Sequence, residues 1–386
     1  MHILLVNQSS GHLFNPIAAA LLRRGHRVTL LAGSVDGPIG NGTMAGLERL
    51  QWLRGVPYRR ETSLGRLLTW GLFTVQLALL LLRRRRHFDR VLLVSNPPTT
   101  ALLARWLLGR YALLLYDLYP QVLRDMGLLR PDHWPYRCLN RAMAAAVVRA
   151  ELVVVLSVAM RQEVIESCAA AARQPPPSHR LQVVPPWADR HLFHPPGPTS
   201  GPAPAMAGWV ILYGGNVGLT HPLDPLLLAV DQLAERWPIR LDLVAGGARL
   251  RSLYQRWQGH GAIRFLPLEP PAEHARRLQT VQLAAVCLEP EASAASLPSK
   301  TFAALACGTP LLVIARADSA LVQIVEEHGC GLWAEPHDHE GLVGHLEALI
   351  ADGARLERMR QSALAATRAF SSNRADDLVA GWLSTE

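Results

Sequence analysis

Short apolar runs recur along this chain, each closed by a polar or small-residue turn and followed by a segment with helical spacing. Residues 2–6 form the first run, Asn7-Gln8-Ser9-Ser10-Gly11-His12 the turn, and Asn15-Pro16 opens a helix that continues through Arg24. Val28 to Leu31 is the next strand. Strand, small-residue loop, helix and strand is the opening of a doubly wound parallel sheet, whose ligands sit beyond the carboxyl ends of the strands. Val91 to Val94, ending in Ser95-Asn96-Pro97-Pro98, a helix over Thr99 to Leu108, and strands at Tyr111 to Tyr116, Leu152 to Leu156 and Leu181 to Val184 continue the pattern. Gly33 to Arg60 is mixed and Gly-rich and predicts no definite element.

From Pro185 to Gly208 the composition turns to Pro, Gly, Ser and Ala, which marks a linker. The alternation then restarts. Val210 to Tyr213 runs into Gly214-Gly215-Asn216-Val217-Gly218 and a helix starting at Pro222, and Leu241 to Ala245 runs into Gly246-Gly247-Ala248-Arg249, whose arginine begins a helix. An edge-like strand over Ile263 to Leu268, a run from Leu283 to Leu288 ending in Glu289-Pro290-Glu291, a helix over Pro298 to Cys307 and a strand over Leu311 to Ile314 follow. Residues from Asp338 onward read as helical, with Ser371-Ser372-Asn373 capping a last helix that ends near Trp382. Two α/β domains follow from this pattern, at 1–190 and 208–369, joined by a Pro/Gly-rich linker at 191–207.

One segment breaks the alternation. Leu67 to Leu82 carries no charge, and Arg83-Arg84-Arg85-Arg86 follows at once. A spanning helix needs about 20 apolar residues, so the expectation is a surface-lying or partly inserted helix with its arginines on anionic headgroups. The alternative is a buried inter-domain helix with a solvated basic end.

Composition narrows the partners. The 386 residues carry a formal charge of +8, and arginine greatly outnumbers lysine, which favours phosphates, nucleic acid or an anionic membrane. No nucleic-acid recognition motif accompanies the arginines, so nucleic acid is not an expected partner. The five cysteines form no C-x-x-C pair and suggest reduced core thiols in the cytosol. The first residues enter a strand without a basic leader or cleavage site, so no export signal is expected.

Candidate chemistry gathers at the strand ends. Ser296-Leu297-Pro298-Ser299-Lys300, followed by an apolar run closing on Gly308-Thr309-Pro310, reads as a short helix whose start and lysine would hold an anion. The two glycine turns, Arg249 and Lys300 would converge if their strands are parallel neighbours, and they lack the Gly-Lys-Ser/Thr of a P-loop. A diphosphate bound without a P-loop suggests a nucleotide-sugar. Asp117, in Asp117-Leu118-Tyr119-Pro120 at a strand's carboxyl end, is the leading catalytic candidate, with a capping or satisfied loop carboxylate as the alternative. Gly11, His12 and Asn15 are candidates for contact with an acceptor.

In order and spacing, Arg24-Gly25-His26-Arg27-Val28-Thr29, Ser95-Asn96-Pro97-Pro98, Asp117-Leu118-Tyr119-Pro120, Val183-Val184-Pro185-Pro186-Trp187-Ala188-Asp189, Tyr213-Gly214-Gly215-Asn216-Val217-Gly218 and Leu297-Pro298-Ser299-Lys300 through Gly308-Thr309-Pro310 make a joint pattern. Over essentially its whole length the chain resembles glycosyltransferase family 4, and within it the bacterial exopolysaccharide and O-antigen branch of colanic acid and fucosamine transferases. The resemblance implies a GT-B architecture of two Rossmann-like domains facing a central crevice, with the last helix, about 370–386, packing back on the first domain. It implies retaining transfer of a sugar from a nucleoside diphosphate to a polyprenyl-diphosphate-linked saccharide, by an enzyme peripheral on the inner face of the cytoplasmic membrane. The donor would lie on Gly214, Gly215, Asn216, Gly246, Leu268, Glu291, Pro298 and Ser299, with Lys300 and Arg249 at the diphosphate. Asp117 would orient or deprotonate the acceptor hydroxyl.

The chain departs from the family at several places. Ala295 and Ala303 stand where many relatives carry paired glutamates, with Glu291 as a substitute for the first, and Pro186 replaces a usual Asn. Thr220-His221 lacks a basic residue that several relatives have, which throws charge neutralisation onto Lys300 and Arg249. No acidic metal cluster is apparent, so no metal or other cofactor is expected. Two rivals stay open: a nucleotide-sugar 2-epimerase of the same fold, and a degenerate transferase acting as a membrane scaffold.

Overall fold

The computed structural model describes residues 1–37, 39, 46–59, 63–197, 208–217, 223–247, 249–289 and 296–384. The chain divides into two compact units, Met1–Pro185 with Ser372–Glu386, and Pro186–Ser371. The division falls at Pro185, where the composition changes, and a few residues before the expected end of the first domain at 190; Trp187 and Ala188 are buried, so the chain is already packed there. Of the expected linker, 198–207 lies outside the described residues.

In the first unit β1 (His2–Val6), β2 (Arg27–Ala32), β3 (Leu50–Arg54), β4 (Arg90–Val94), β5 (Ala112–Leu114), β6 (Leu152–Val155) and β7 (Leu181–Val183) form one sheet in the order β3-β2-β1-β4-β5-β6-β7. All its pairs are parallel. The connecting helices are α1 (Asn15–Arg23), α2 (Ser63–Arg84), α3 (Thr99–Leu107), α4 (Gln121–Asp125), α5 (Trp134–Arg149) and α6 (Val158–Ala170). β3 occupies the stretch for which the sequence predicts no element, and β5 is shorter than the apolar run from Tyr111 to Tyr116. The strand order reverses between β1 and β4, the switch point at which such sheets bind ligands.

The second unit repeats the topology. β8 (Trp209–Asn216), β9 (Ile239–Gly246), β10 (Ile263–Leu266), β11 (Leu283–Cys287), β12 (Leu311–Ile314) and β13 (Gly331–Ala334) pair in parallel in the order β10-β9-β8-β11-β12-β13. Its helices are α7 (Asp224–Ala234), α8 (Leu250–Trp257), α9 (Pro271–Leu278), α10 (Lys300–Ala306), α11 (Ala320–His328), α12 (His339–Ala351) and α13 (Gly353–Ala366). Alternate residues of β8 divide between two cores: Ile211 and Tyr213 pack with Leu227 and Leu346, Val210 and Leu212 with Phe302 and Leu321. Both faces are therefore covered, which is why these strands read as continuous apolar runs.

The last helix, α14 (Arg374–Ser384), belongs to the first unit. Asp376 accepts from Arg23 and Arg24 at 2.6 and 2.7 Å, Trp382 is buried with its Nε1 donating to Glu151 at 2.7 Å, and the buried Arg90 donates to the Trp382 carbonyl. Cys168, Cys287, Cys307 and Cys330 are buried free thiols, whereas Cys138 is exposed, contrary to the expectation of core cysteines throughout.

α2 is neither buried nor detached. Phe73, Leu77 and Leu81, four apart and so on one stripe, are fully buried, and Phe73 packs where a Cβ on Gly55 would stand, 2.7 Å away. Gln76 accepts from the Val56 N–H at 3.1 Å and donates to the Arg54 carbonyl at 2.9 Å, which pins the helix to the end of β3. The opposite side, Leu64, Leu68, Leu72, Leu79 and Leu82, is exposed, Leu68 by 57%. By length and composition Leu64–His87 could cross a membrane.

Candidate functional site

In the second unit the carboxyl ends of β8 and β9 lie side by side in register, Gly214 beside Val244 and Asn216 beside Gly246. The Val217 N–H donates to the Gly246 carbonyl at 2.7 Å and the Arg249 N–H to the Val217 carbonyl at 3.4 Å, so the two glycine turns are tied together. Gly215 and Gly247 have φ of +116° and +113°, which L side chains rarely adopt, and a Cβ on Gly215 would meet open space. Gly215 is therefore glycine for its backbone conformation.

Gly214 is glycine for a different reason. A Cβ there would lie 2.3 Å from Cε1 of His274, so the imidazole of α9 covers this glycine. Burial holds His274 below the usual histidine range; Glu269 opposes that shift, and Arg277 and Lys300 add to it. Leu268, 62% exposed, covers Gly246 in the same way at 2.9 Å.

Lys300 stands at the first position of α10, its Nζ 3.8 Å from the centroid of the Tyr213 ring. Tyr213, in the second half of β8, and Cys287, the last residue of β11, are both buried. Burial brings the Lys300 ammonium down to about 8, an effect that the neighbouring Cys287 opposes, while burial pushes the Cys287 thiol up to about 12. Among the described residues no carboxylate pairs with Lys300, so its charge is directed to the aromatic face and to whatever enters beside it.

Arg249 does not share that freedom. It faces Glu289 at 3.4 Å and Asp224 at 3.7 Å, and Asp224 also holds Arg256 at 3.0 Å, a set of two cations and two carboxylates. Lys300 and Arg249 are both expected at a diphosphate; the structure pairs Arg249 with carboxylates inside the unit, so its charge is already balanced there. Ser299 occupies the position before α10, but its side chain makes no capping hydrogen bond, and the helix spans only Lys300–Ala306. Pro298 and Ser299 lie in the preceding turn, Ser299 exposed. Ala303 is buried in the core, without a polar group at that point. Glu291, Ala295, Thr220, His221 and the side chain of Asn216 lie outside what is described.

In the first unit Asp117 follows β5. Its N–H and that of Tyr116 donate to Ser95 Oγ at 3.1 and 3.0 Å, which ties the ends of β4 and β5 together. The carboxyl group lines a recess with Leu115, Tyr119, Gln121, Met143 and Ser167. Asp117 keeps solvent-exposed surface, and the crowding of protein around it, which desolvates the carboxylate, raises its carboxyl above the usual range. Tyr119 is flanked by Trp70, rings edge to face at 6.1 Å.

The acceptor-side candidates fare differently. Asn15 is buried and spent: its Oδ1 accepts from Ser10 Oγ at 2.8 Å and its Nδ2 donates to the Asp36 and Gly37 carbonyls at 3.0 and 3.3 Å. That corrects its expected contact with an acceptor. Gly11 accepts from the Phe14 and Asn15 N–H groups, both at 2.8 Å, and has room for a Cβ, while His12 is exposed. Tyr213, His274 and Glu289 are site residues that the sequence reading missed. Tyr213 and Glu289 bracket apolar runs and were detectable as strand-end residues, whereas nothing in the spacing of His274 points to Gly214.

Residues 203–365 match the family described as glycosyl transferases group 1. WbjE of Pseudomonas aeruginosa, named as a probable glycosyltransferase, is 27% identical over 292 residues, 72% of this chain and 71% of its own. WcaI of Escherichia coli (strain K12), whose name refers to glycosyl transfer in colanic acid biosynthesis, is 32% identical over 146 residues, 36% of this chain and 35% of its own. Among solved structures, Anabaena Alr3699/HepE in complex with UDP-glucose superposes with a TM-score of 0.69 at 17% identity over 100% of both chains. Residues 203–365 thus match the glycosyl transferases group 1 family, and the chain as a whole has the GT-B fold.

Proposed function

We propose that this protein is a retaining glycosyltransferase that moves a sugar, of hexosyl type, from a nucleoside diphosphate to a polyprenyl-diphosphate-linked saccharide in cell-surface polysaccharide biosynthesis. The observation that carries the reading is the Lys300 ammonium, held over Tyr213 beside two interlocked glycine turns, with no carboxylate on it among the described residues. Departure of a nucleoside diphosphate leaves negative charge at the leaving oxygens. A preorganised cation there stabilises the transition state, and one such group is worth of order 3 kcal/mol. The likeness to a structure that holds UDP-glucose supports the donor class. Asp117 orients or deprotonates the acceptor hydroxyl, attack occurs on the face the leaving group departs from, and no divalent ion is required.

The membrane side of the proposal rests on α2. Its exposed leucines and the exposed run Arg83-Arg84-Arg85-Arg86 match the apolar and basic halves of an interfacial helix on an anionic lipid surface, here the inner face of the cytoplasmic membrane.

The test is a panel of UDP- and GDP-sugars with a polyprenyl-diphosphate-sugar acceptor in mixed micelles, alongside Lys300→Ala and Asp117→Asn. Nucleoside diphosphate release with a lengthened lipid-linked product, reduced about 100-fold or more in each variant, is the expected result. Nucleotide binding without turnover on any donor would replace the proposal with the scaffold reading, and interconversion of the donor sugar without transfer would replace it with epimerisation.

A further inference from the structure

The start of α2 also builds a second site, which the acceptor candidates read from the sequence do not include. Trp70 sits where this helix meets the carboxyl ends of the first unit's strands, and its Nε1 donates to Asn96 Oδ1 at 3.0 Å, which fixes the indole. The Tyr58 ring lies parallel to it, within 4° at 6.2 Å between centroids, and the Tyr119 ring meets it edge to face at 6.1 Å. All three rings are partly exposed. Arg66 lies one helical turn before Trp70 and so on the same face. Its Nε and the hydroxyl of Tyr116, next to Asp117, are buried and have no hydrogen-bond partner among the described residues. Buried polar groups are nearly always paired, so the Arg66 Nε beside these rings, and the Tyr116 hydroxyl one residue before Asp117, leave hydrogen-bonding capacity for a bound molecule. Arg66 and Asp117 both act on the Tyr119 hydroxyl, from opposite sides in sign, so these groups share one neighbourhood.

We propose that Tyr58, Trp70 and Tyr119, with Arg66 and the Tyr116 hydroxyl, form an acceptor subsite beside Asp117 that takes a saccharide ring carried on a diphosphate. The ring's apolar face lies on the aromatic walls, its hydroxyls meet Asp117 and Tyr116, and the diphosphate oxygens meet the Arg66 guanidinium. This deepens the transferase reading and rests on it for the identity of the acceptor. It also gives α2 two roles on two faces: the exposed leucines for the lipid surface, and the Arg66–Trp70 turn for the headgroup.

The test separates binding from transfer. A soluble short-chain prenyl-diphosphate-N-acetylhexosamine is titrated against wild type, Arg66→Ala, Arg66→Lys, Trp70→Phe and Trp70→Leu by calorimetry, with UDP binding and thermal unfolding followed in parallel. The expected result is at least tenfold weaker probe binding in Arg66→Ala and Trp70→Leu, partial recovery in Arg66→Lys and Trp70→Phe, and unchanged affinity for UDP. Inorganic pyrophosphate alone and free N-acetylhexosamine alone should each bind more weakly than the linked probe. Probe binding that is absent in wild type, indifferent to all four variants, or lost together with UDP binding would overturn the subsite. If no donor supports transfer yet the probe binds with this variant pattern, the subsite stands and the transferase reading fails.

Discussion

The Lys300 ammonium rests 3.8 Å from the centroid of the Tyr213 ring, and the two residues come from different parts of the second unit, the second half of β8 and the start of α10. An aromatic face holds the cation in place without neutralising it. A carboxylate at that position would occupy the charge that an incoming diphosphate needs.

The first prediction concerns pH. Free Lys300 loses its proton near pH 8, so kcat/KM for the donor falls above that pH, about tenfold per unit, while kcat, measured with the diphosphate on the lysine, holds to higher pH. Tyr213→Phe keeps the ring and the profile; Tyr213→Leu removes a cation–π contact of about 1 kcal/mol and moves the alkaline limb down by roughly half a unit or more. Since the unfolded lysine, at 10.5, holds its proton where the folded one has released it, folding stability gains from this group as pH rises from about 8 to 10.5. An alkaline limb that starts above pH 10 in kcat/KM would contradict the assignment.

Gly214 and His274 should behave as a coupled pair. Gly214→Ala places a methyl 2.3 Å from the imidazole and is expected to cost about 1–3 kcal/mol in unfolding free energy and to weaken UDP binding. Adding His274→Ala should return most of both losses. Simple additivity in the double variant would show that the clash is not what makes position 214 a glycine.

The two faces of α2 should separate stability from membrane attachment. Leu77→Ala, inside the unit, is expected to cost about 2–5 kcal/mol of stability. Leu68→Ser with Leu72→Ser, both on the exposed face, should leave the unfolding temperature within a few degrees of wild type and abolish co-sedimentation with vesicles rich in anionic lipid. Replacing Arg83, Arg84, Arg85 and Arg86 by Ala should remove the dependence on anionic lipid and on salt. Co-sedimentation that survives both changes would detach α2 from the membrane.

Treatment with EDTA, followed by added Mg²⁺ or Mn²⁺, should change the rate of sugar transfer by less than twofold, because in the proposed mechanism the Lys300 ammonium carries the leaving-group charge. A tenfold loss on chelation, restored by the ion, would require a metal in the donor complex.

Much of the fold was legible in the sequence. The strand runs are apolar on both sides because helices cover both faces of each sheet, and Gly215 closes the apolar run of β8 because its backbone has a positive φ that only glycine adopts freely. Lys300 was legible too, as a basic residue at the start of a helix following a strand end. β3 was not, since its strand sits at the sheet edge and exposes Gln51, Trp52 and Arg54, which breaks the apolar run. Tertiary structure alone decided the rest. Asn15, polar and in a loop-to-helix turn, looks available from sequence but spends its amide on Ser10, Asp36 and Gly37; Arg249 looks like a free phosphate ligand but is matched by Asp224, from the start of the preceding helix α7, and by Glu289 across the sheet. His274 over Gly214, and Arg66 beside Trp70 and Tyr119, depend on helices brought to strand ends by packing. Periodicity specifies which residues face a core, because burial is a property of each position; which polar groups remain free for a ligand depends on pairs distant in the chain, and only the folded structure sets those distances.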